Sequence, residues 1–462
     1  MMGVDFQRFF EACQPDRSLN LAKSEDRQYY IDFSPVRGNR IIQKLRKTIS
    51  LSRTPTCQLF SGHVGCGKTT ELFRLKNELE MEGFYVVYFE STEDLELDNV
   101  DVTDVLLAIA RQVSEKLERD QIHLQPQGFR KLLQDAVAFL QTPIDLTGTQ
   151  LTLPGGAKMS ANRDGKFEFS LPLGIASITA EAKKDKDLHE RLRQYLAPRT
   201  NTLLSVINEE LLKPATAALM AQGKRGLVVM VDNLDRIGAQ LNKANRPQNE
   251  YLFIEQGAEL RKLSCHLIYT VPLVLLFTNE RDLLVNRLGG GAEPTVLPMV
   301  PVQSRDGQVY QEGMRLLRQM VLARAFPDVI SEQERVERVD EIFEDPSLLD
   351  RLCFISGGHV RKLMSLLFSC LQVDDLPLSS RGLENVIRDY RDALLVTVDD
   401  EEWELIVQVI QRQGGVIQGE KQFKVLLPST FFFEYRDNEG RWFGLNPVLA
   451  ETREYKNLVR QV

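Results

Sequence analysis

The chain has 462 residues, with 57 lysines and arginines against 65 acids, a formal net charge of −8, 43% hydrophobic and 26% charged residues. At roughly 100–200 residues per domain this length predicts two to four domains, and the composition excludes a disordered or fibrous chain. The acidic balance argues against wholesale coating of nucleic acid, whose phosphates are held by clustered cations; a local basic patch stays open. Six scattered cysteines (Cys13, Cys57, Cys66, Cys265, Cys353, Cys370), with no CxxC pair and no histidine cluster nearby, suggest neither a zinc site nor a disulfide framework and point to a reducing compartment. The opening residues MMGVDFQRFFEACQPDR carry acids early and lack the apolar core of a secretory signal. The longest apolar stretch, Leu267 to Phe277, is shorter than the ~20 residues that cross a bilayer. The expectation is a cytoplasmic protein without a membrane span.

In chain order, a polar opening over 1–40 gives way to helical spacing from Ile41 to Ile49 and a short apolar run, Thr56 to Phe60, that ends in a glycine-rich turn. Lys68 to Glu82 is helical, Phe84 to Phe89 is a buried strand, and Val105, Leu106, Ile109, Val113 and Leu117 mark an amphipathic helix. Phe129, Leu132, Leu133, Ala136 and Leu140 place a helix before an insertion over 142–187. There Lys166 to Leu171 alternates polar and apolar after the turn Asn162 to Gly165 and reads as a hairpin. A partner-docking or oligomerisation element and a plain sheet extension both fit it. Leu203 to Leu212 is helical, and further buried runs lie at Gly226 to Val231, His266 to Val271 and Val296 to Val302. Near-continuous apolar strands separated by helices predict an α/β core over 41–303 whose parallel sheet is covered on both faces. Strands then cease: Gln311 to Ala325, Glu332 to Phe343 and His359 to Leu371 make a helical subdomain over 304–395. Over 396–462, Trp403, Ile406, Val407 and Ile410 share a helix face. Phe431 to Tyr435, the turn Asp437-Asn438-Glu439-Gly440 and Arg441 to Phe443 form a hairpin, together a small winged-helix-like α+β domain.

The strongest chemical signal is Gly62-His63-Val64-Gly65-Cys66-Gly67-Lys68-Thr69, a full GxxxxGK(S/T) match placed after a strand and opening a helix. The glycines let backbone N–H groups of Gly62, Val64, Gly65, Cys66 and Gly67 wrap phosphates. Lys68 reaches the β and γ phosphates, the Thr69 hydroxyl coordinates Mg²⁺, and Thr70 follows in the same turn. The core is thus of the P-loop NTPase class, with ATP or ADP and Mg²⁺ as expected ligands. Leu227 to Asp232 is a buried strand ending in a carboxylate, suited to the metal-side acid, and Asp235 follows three residues later. For γ-phosphate cleavage, Thr270 at the end of its strand fits a polar sensor and equally a threonine facing a turn. Arg361 opens a helix of the lid, and Arg281 and Arg287 are placed to act across a subunit interface or to be surface charges. Cys66 reads as a small filler and His63 as solvent-facing or ribose-side.

These residues resemble the AAA+ and STAND branch of P-loop ATPases, NACHT-like and replication-initiator-like members included. The likeness rests on Asp32-Phe33-Ser34-Pro35-Val36-Arg37-Gly38 as an adenine-side segment, on GHVGCGKT, on VVMVDNLD, similar to the hhhhDGLD form of STAND proteins, and on SGGHVRKL in the lid. The resemblance covers roughly 28–371. It implies a strand interposed between those bearing the two nucleotide motifs, Val36 and Arg37 beside the base, and the 304–395 helices acting as a lid. Many AAA+ members carry glutamate directly after the aspartate at Asp232, whereas this chain has Asn233; by analogy with STAND members Asp235 becomes the candidate base, and hydrolysis is expected to be slow.

The expectation is therefore a regulatory or signalling ATPase switch that self-associates or binds a protein partner, with any effector on another chain. A DNA-binding initiator-like ATPase is the alternative. It is disfavoured because 395–462 holds 11 acids and 8 bases, net −3, with Asp399-Asp400-Glu401-Glu402 opening its helix. A scaffold that holds nucleotide without turning it over is the third reading.

Overall fold

The apolar runs form a five-stranded sheet in a computed structural model that describes residues 3–38, 40–141, 171–242, 245–412 and 417–461. Helix α1 (Phe6–Ala12) comes first, and α2 (Ile41–Leu51) buries Ile42, Leu45 and Ile49, which recur at helical spacing. There follow β1 (Cys57–Ser61), α3 (Lys68–Met81), β2 (Tyr85–Glu90), α4 (Val102–Arg119), α5 (Gln127–Gln141), α6 (Leu171–Lys184) and α7 (Lys186–Leu196). A helical stretch over 200–221 leads to β3 (Leu227–Asp232), then β4 (His266–Thr270), α8 (Arg281–Arg287) and β5 (Thr295–Val296). The strand order is β2-β3-β4-β1-β5 and each pairing is parallel. β4 is the strand interposed between β1, which feeds the glycine loop, and β3, which ends at Asp232. All six residues of β3 are buried because α4 packs its Val105, Leu106, Ile109 and Val113 on one face while α3 packs Leu72, Leu75 and Leu79 on the other.

Three stretches depart from the sequence expectation. Of the run Val296 to Val302 only Val296 lies in β5, since Pro298 and Pro301 have no N–H to continue a ladder. Met299 N–H instead donates to the Glu434 carbonyl at 2.9 Å. Within 142–187, the hairpin over 162–170 lies outside the described residues, while Leu171, its last position, opens the helix α6, which packs against α4. Glu332 to Phe343 is not one helix: the helix Glu332–Glu337 stops at Arg338, whose φ of −104° and ψ of 12° leave helical geometry, and a single 3-10 turn follows.

Beyond β5, α9 (Gln311–Ala325), α10 (Pro346–Ile355), α11 (Val360–Val373) and α12 (Ser380–Leu395) enclose a separate core around Leu317, Val321, Leu352, Leu363 and Leu367. The last segment contains α13 (Asp400–Gln411), α14 (Glu420–Leu426) and the antiparallel pair β6 (Phe432–Asp437) and β7 (Gly440–Leu445). Its acidic opening has a local cause. Asp399 accepts from Glu402 N–H while Glu402 accepts from Asp399 N–H, a capping box at the positive end of α13. Phe433, Tyr435 and Trp442 of the hairpin join the core on the α3 side of the sheet. Among the described residues no helix is long and apolar enough to cross a membrane.

Leu72 is fully buried on the sheet-facing side of α3. Its truncation in Leu72→Ala leaves a cavity that costs about 2–5 kcal/mol. Urea unfolding should show a lower midpoint with an unchanged slope.

Candidate functional site

The glycine loop turns sharply between β1 and α3. Gly65 has φ of +85°, and a Cβ there would stand 2.4 Å from His359 Cε1, so both the backbone and the neighbouring lid demand glycine. Gly62 lies close to the chain after β5, where a Cβ would be 2.5 Å from the Leu297 carbonyl oxygen. Lys68, at the first position of α3, is buried; its Nζ donates to the carbonyls of Gly62 and His63, each at 2.8 Å, and pairs with Asp235 Oδ2 at 3.0 Å. Burial works against that ammonium, but Asp235 beside it holds the Lys68 pKa above its ordinary value. Cys66 is buried within the loop, in keeping with a filler, and Val64 is 49% exposed at the lip.

The C-terminal ends of β2 and β3 build the facing wall. Thr69 Oγ1 donates to Asp232 Oδ2 at 2.7 Å, Tyr88 Oη donates to the same oxygen at 3.0 Å, and Asn233 N–H donates to Asp232 Oδ1 at 2.7 Å. Burial, with Asp235 nearby, raises the Asp232 pKa. Asn233 sits in the left-handed region at φ of 63°, and its Nδ2 donates to Glu90 Oε2 at 2.6 Å. Glu90 is the cross-strand neighbour of Asp232. Sequence reasoning passed over Glu90, since a carboxylate closing an apolar run reads as a strand end until the β2–β3 register places it.

Gly65, Cys66, Gly67, Lys68, Thr69, Thr70, Val64, Asp232, Asn233, Asp235, Arg37 and Arg361 all line one cleft of about 890 Å³. The 15–38 segment and the lid add Tyr29, Tyr30, Ile31, Phe33, Met320 and Met364 to its lining. A cleft that combines a glycine loop, acids and cations with aromatic and thioether side chains suits a nucleotide in its chemistry. Arg37 is buried, its guanidinium lies over the Phe33 ring at 5.1 Å, and its Nη2 donates to the Cys66 carbonyl at 2.8 Å, clamping the loop from the expected base side. Behind it, Tyr30 Oη donates to Glu71 Oε1 and accepts from Arg74 Nη1, a network that no motif announced. Arg236, Arg324 and Arg17 also reach the cleft.

Val36, Thr270, Arg287, Arg281 and His63 are not among the residues that line the cleft. Val36 is buried in the lid core and does not line the cleft, although its neighbour Arg37 does. Thr270, fully buried, accepts from Leu234 N–H at 3.1 Å; its hydroxyl supports the turn after Asp232 and does not line the cleft. Arg287 donates to the Ile254 carbonyl at 3.2 Å on α8 and lies outside the cleft. Arg281 pairs with Asp282 and Glu293. His63 points neither to solvent nor to the cleft. It is buried, and its Nε2 accepts from Glu434 N–H of β6 at 3.0 Å.

His63 belongs to a junction of three elements. Phe433 meets the His63 and His359 rings edge-on, at centroid distances of 5.9 and 6.0 Å. Arg361 N–H donates to the Gly65 carbonyl at 3.1 Å, and Tyr435 Oη donates to the Gly357 carbonyl at 2.7 Å. The loop, the start of α11 and the C-terminal hairpin therefore share hydrogen bonds. Arg361 presents its side chain to the cleft and forms no ion pair with any described residue.

The residues present suit magnesium and a triphosphate. Thr69 Oγ1 and Asp232 Oδ2 are hard oxygen donors side by side, and Asp235 Oδ1 is buried with no hydrogen-bond partner, an acceptor left open on a carboxylate whose other oxygen pairs with Lys68. No protein-family model and no curated protein matches the chain. Among solved structures it is similar to the Orc1 protein of Aeropyrum pernix in complex with DNA, at 11% identity over 98% of this chain and 96% of that one, TM-score 0.36. It is also similar to Cdc6p from Pyrobaculum aerophilum, at 11% identity over 100% of this chain and 99% of that one, TM-score 0.37. Likenesses this distant assign neither an activity nor a partner.

Burial holds both His63 and His359 neutral, lowering each to about 3, with Lys68, Lys362 and Arg361 adding repulsion. Burial pushes Glu434 the other way, up to about 7. Unfolded histidine titrates near ~6.5, so between about pH 6.5 and 4.3 the unfolded chain takes up two protons here while the folded one takes up one at Glu434. Stability falls as the medium is acidified through that window. His63→Gln, which keeps an acceptor, should make the fall shallower by about 1.4 kcal/mol per pH unit, read from urea unfolding at several pH values.

Proposed function

We infer that the protein is a magnesium-dependent ATPase, of slow turnover, that works as a regulatory switch and belongs with the AAA+ and STAND-like P-loop proteins. The observation that carries this reading is the shared junction: the loop that would cradle phosphates gives a carbonyl to Arg361 of the lid and a histidine nitrogen to Glu434 of the hairpin. A ligand shifts a conformational balance only through contacts that differ between states. Phosphates drawing Lys68 away from the Gly62 and His63 carbonyls would disturb the two peptides that support the hairpin, and Arg361 would meet the same phosphates from the lid. Thr69 and Asp232 would hold magnesium, which neutralises phosphate charge as it develops. Asp235 would anchor Lys68, Arg37 would brace the loop, and Arg287, outside its own cleft, would serve only a neighbouring subunit. Self-association and a protein effector on another chain complete the proposal.

A nucleic-acid reading finds less support. The hairpin tip carries Asp437 and Glu439, Asp437 is paired with Arg305 at 2.6 Å, and the inner face of the hairpin is packed on the core.

Lys68→Ala should weaken ATP and ADP binding by roughly tenfold to a hundredfold, the worth of a charged hydrogen bond of about 1.5–3 kcal/mol, in equilibrium titration with a fluorescent nucleotide. Unchanged affinity would overturn the assignment. The parent should change its hydrodynamic radius on binding nucleotide, and Phe433→Ala should keep the affinity within a few-fold but lose that change, read by dynamic light scattering.

A further inference from the structure

We propose that Glu90, not Asp235, is the carboxylate that takes the proton from the water attacking the γ-phosphate, and that Asn233 is its positioning residue. The inference rests on the ATPase reading above and names the base of that same site.

Three carboxylates crowd the facing wall, and their partners separate them. Asp232 has both oxygens engaged, Oδ2 by Thr69 and Tyr88 and Oδ1 by Asn233 N–H. Asp235 is held through Oδ2 by the Lys68 ammonium at 3.0 Å, and turning it toward a water would leave that buried cation unpaired. Glu90 is left. It closes β2 directly across from Asp232, at the carboxyl end of the sheet, where parallel sheets present their ligands. Asn233, which lines the cleft and stands immediately after the metal-side aspartate, grips Glu90 Oε2 through its amide N–H at 2.6 Å. The side chain that replaces glutamate after Asp232 therefore carries a glutamate from the next strand. Glu90 is only half-buried, so water reaches it.

The chemistry balances without a further reactant. A lone pair of the water oxygen forms the new bond to γ-phosphorus, the bond from that phosphorus to the β–γ bridging oxygen breaks, and its electron pair leaves on ADP. The water proton passes to Glu90 and then to phosphate or solvent, giving ADP and inorganic phosphate.

The test compares the full-length parent with Glu90→Gln, Asp235→Asn and Asn233→Ala in steady-state phosphate release, alongside equilibrium binding of a non-hydrolysable ATP analogue. Glu90→Gln should lose about 10²–10⁴-fold in kcat while binding the analogue within threefold of the parent. Glu90→Asp should restore part of the rate. Asn233→Ala should lower kcat in the parent but change nothing further in the Glu90→Gln background, a non-additivity that a merely structural asparagine would not produce. Turnover by Glu90→Gln within threefold of the parent would overturn the proposal, and so would a parent that binds nucleotide but releases no phosphate. Neither result touches nucleotide binding; a parent that fails to bind the analogue at all would instead remove the ATPase reading itself.

Discussion

A single buried ammonium organises the centre of this molecule. Lys68 has three protons and three acceptors, two loop carbonyls and Asp235. A cation so enclosed is tolerable only when each donor is met and an opposite charge lies within reach. Meeting that demand bends the loop so that the Gly62 and His63 carbonyls point inward, and the His63 ring is then carried to the opposite side, toward β6. The turn after β3 is drawn in by the same demand, because Asp235 must come up to the ammonium, and Thr270 supports that turn through Leu234 N–H. The loop, the acidic turn and the hairpin contact are thus consequences of one electrostatic requirement.

The second organising feature is a division of labour among surfaces. The sheet supplies rigid strand ends, and the 15–38 segment and the lid supply aromatic and thioether side chains to the lining of the cleft. The C-terminal hairpin, with aromatic residues on its inner face, is packed like a piece of the core. His63, His359 and Phe433 carry no charge in this setting, so the junction depends on shape and on hydrogen bonds that need a neutral imidazole.

Much of this was legible in the residues because parallel strands covered on both faces spell themselves as apolar runs, as Val228 to Val231 does, and because a glycine loop before a helix has few other uses. Side-chain direction was not legible. His63 lies inside the recognisable motif yet faces away from the cleft, and Thr270 stands at the right strand end with its hydroxyl spent on a backbone N–H. Arg287, expected to act across a subunit interface or to be a surface charge, is exposed on a helix outside its own cleft. Glu90 was missed because its meaning comes from strand register, which brings residues far apart in sequence side by side. The run Val296 to Val302 misled for a simpler reason: hydrophobic burial is indifferent to whether the covering partner is a sheet neighbour or a hairpin, and the two prolines decide which.

His63 and the Glu434 N–H that it accepts from are 371 positions apart in the chain. Closing so long a span is entropically demanding and comes late in folding. On the ribosome, the glycine loop will have emerged long before the strand that braces it exists. The nascent chain therefore passes through a period in which its sheet can form while the loop still lacks one wall, and Phe433, Tyr435 and Trp442 seal it only once the hairpin itself has been made.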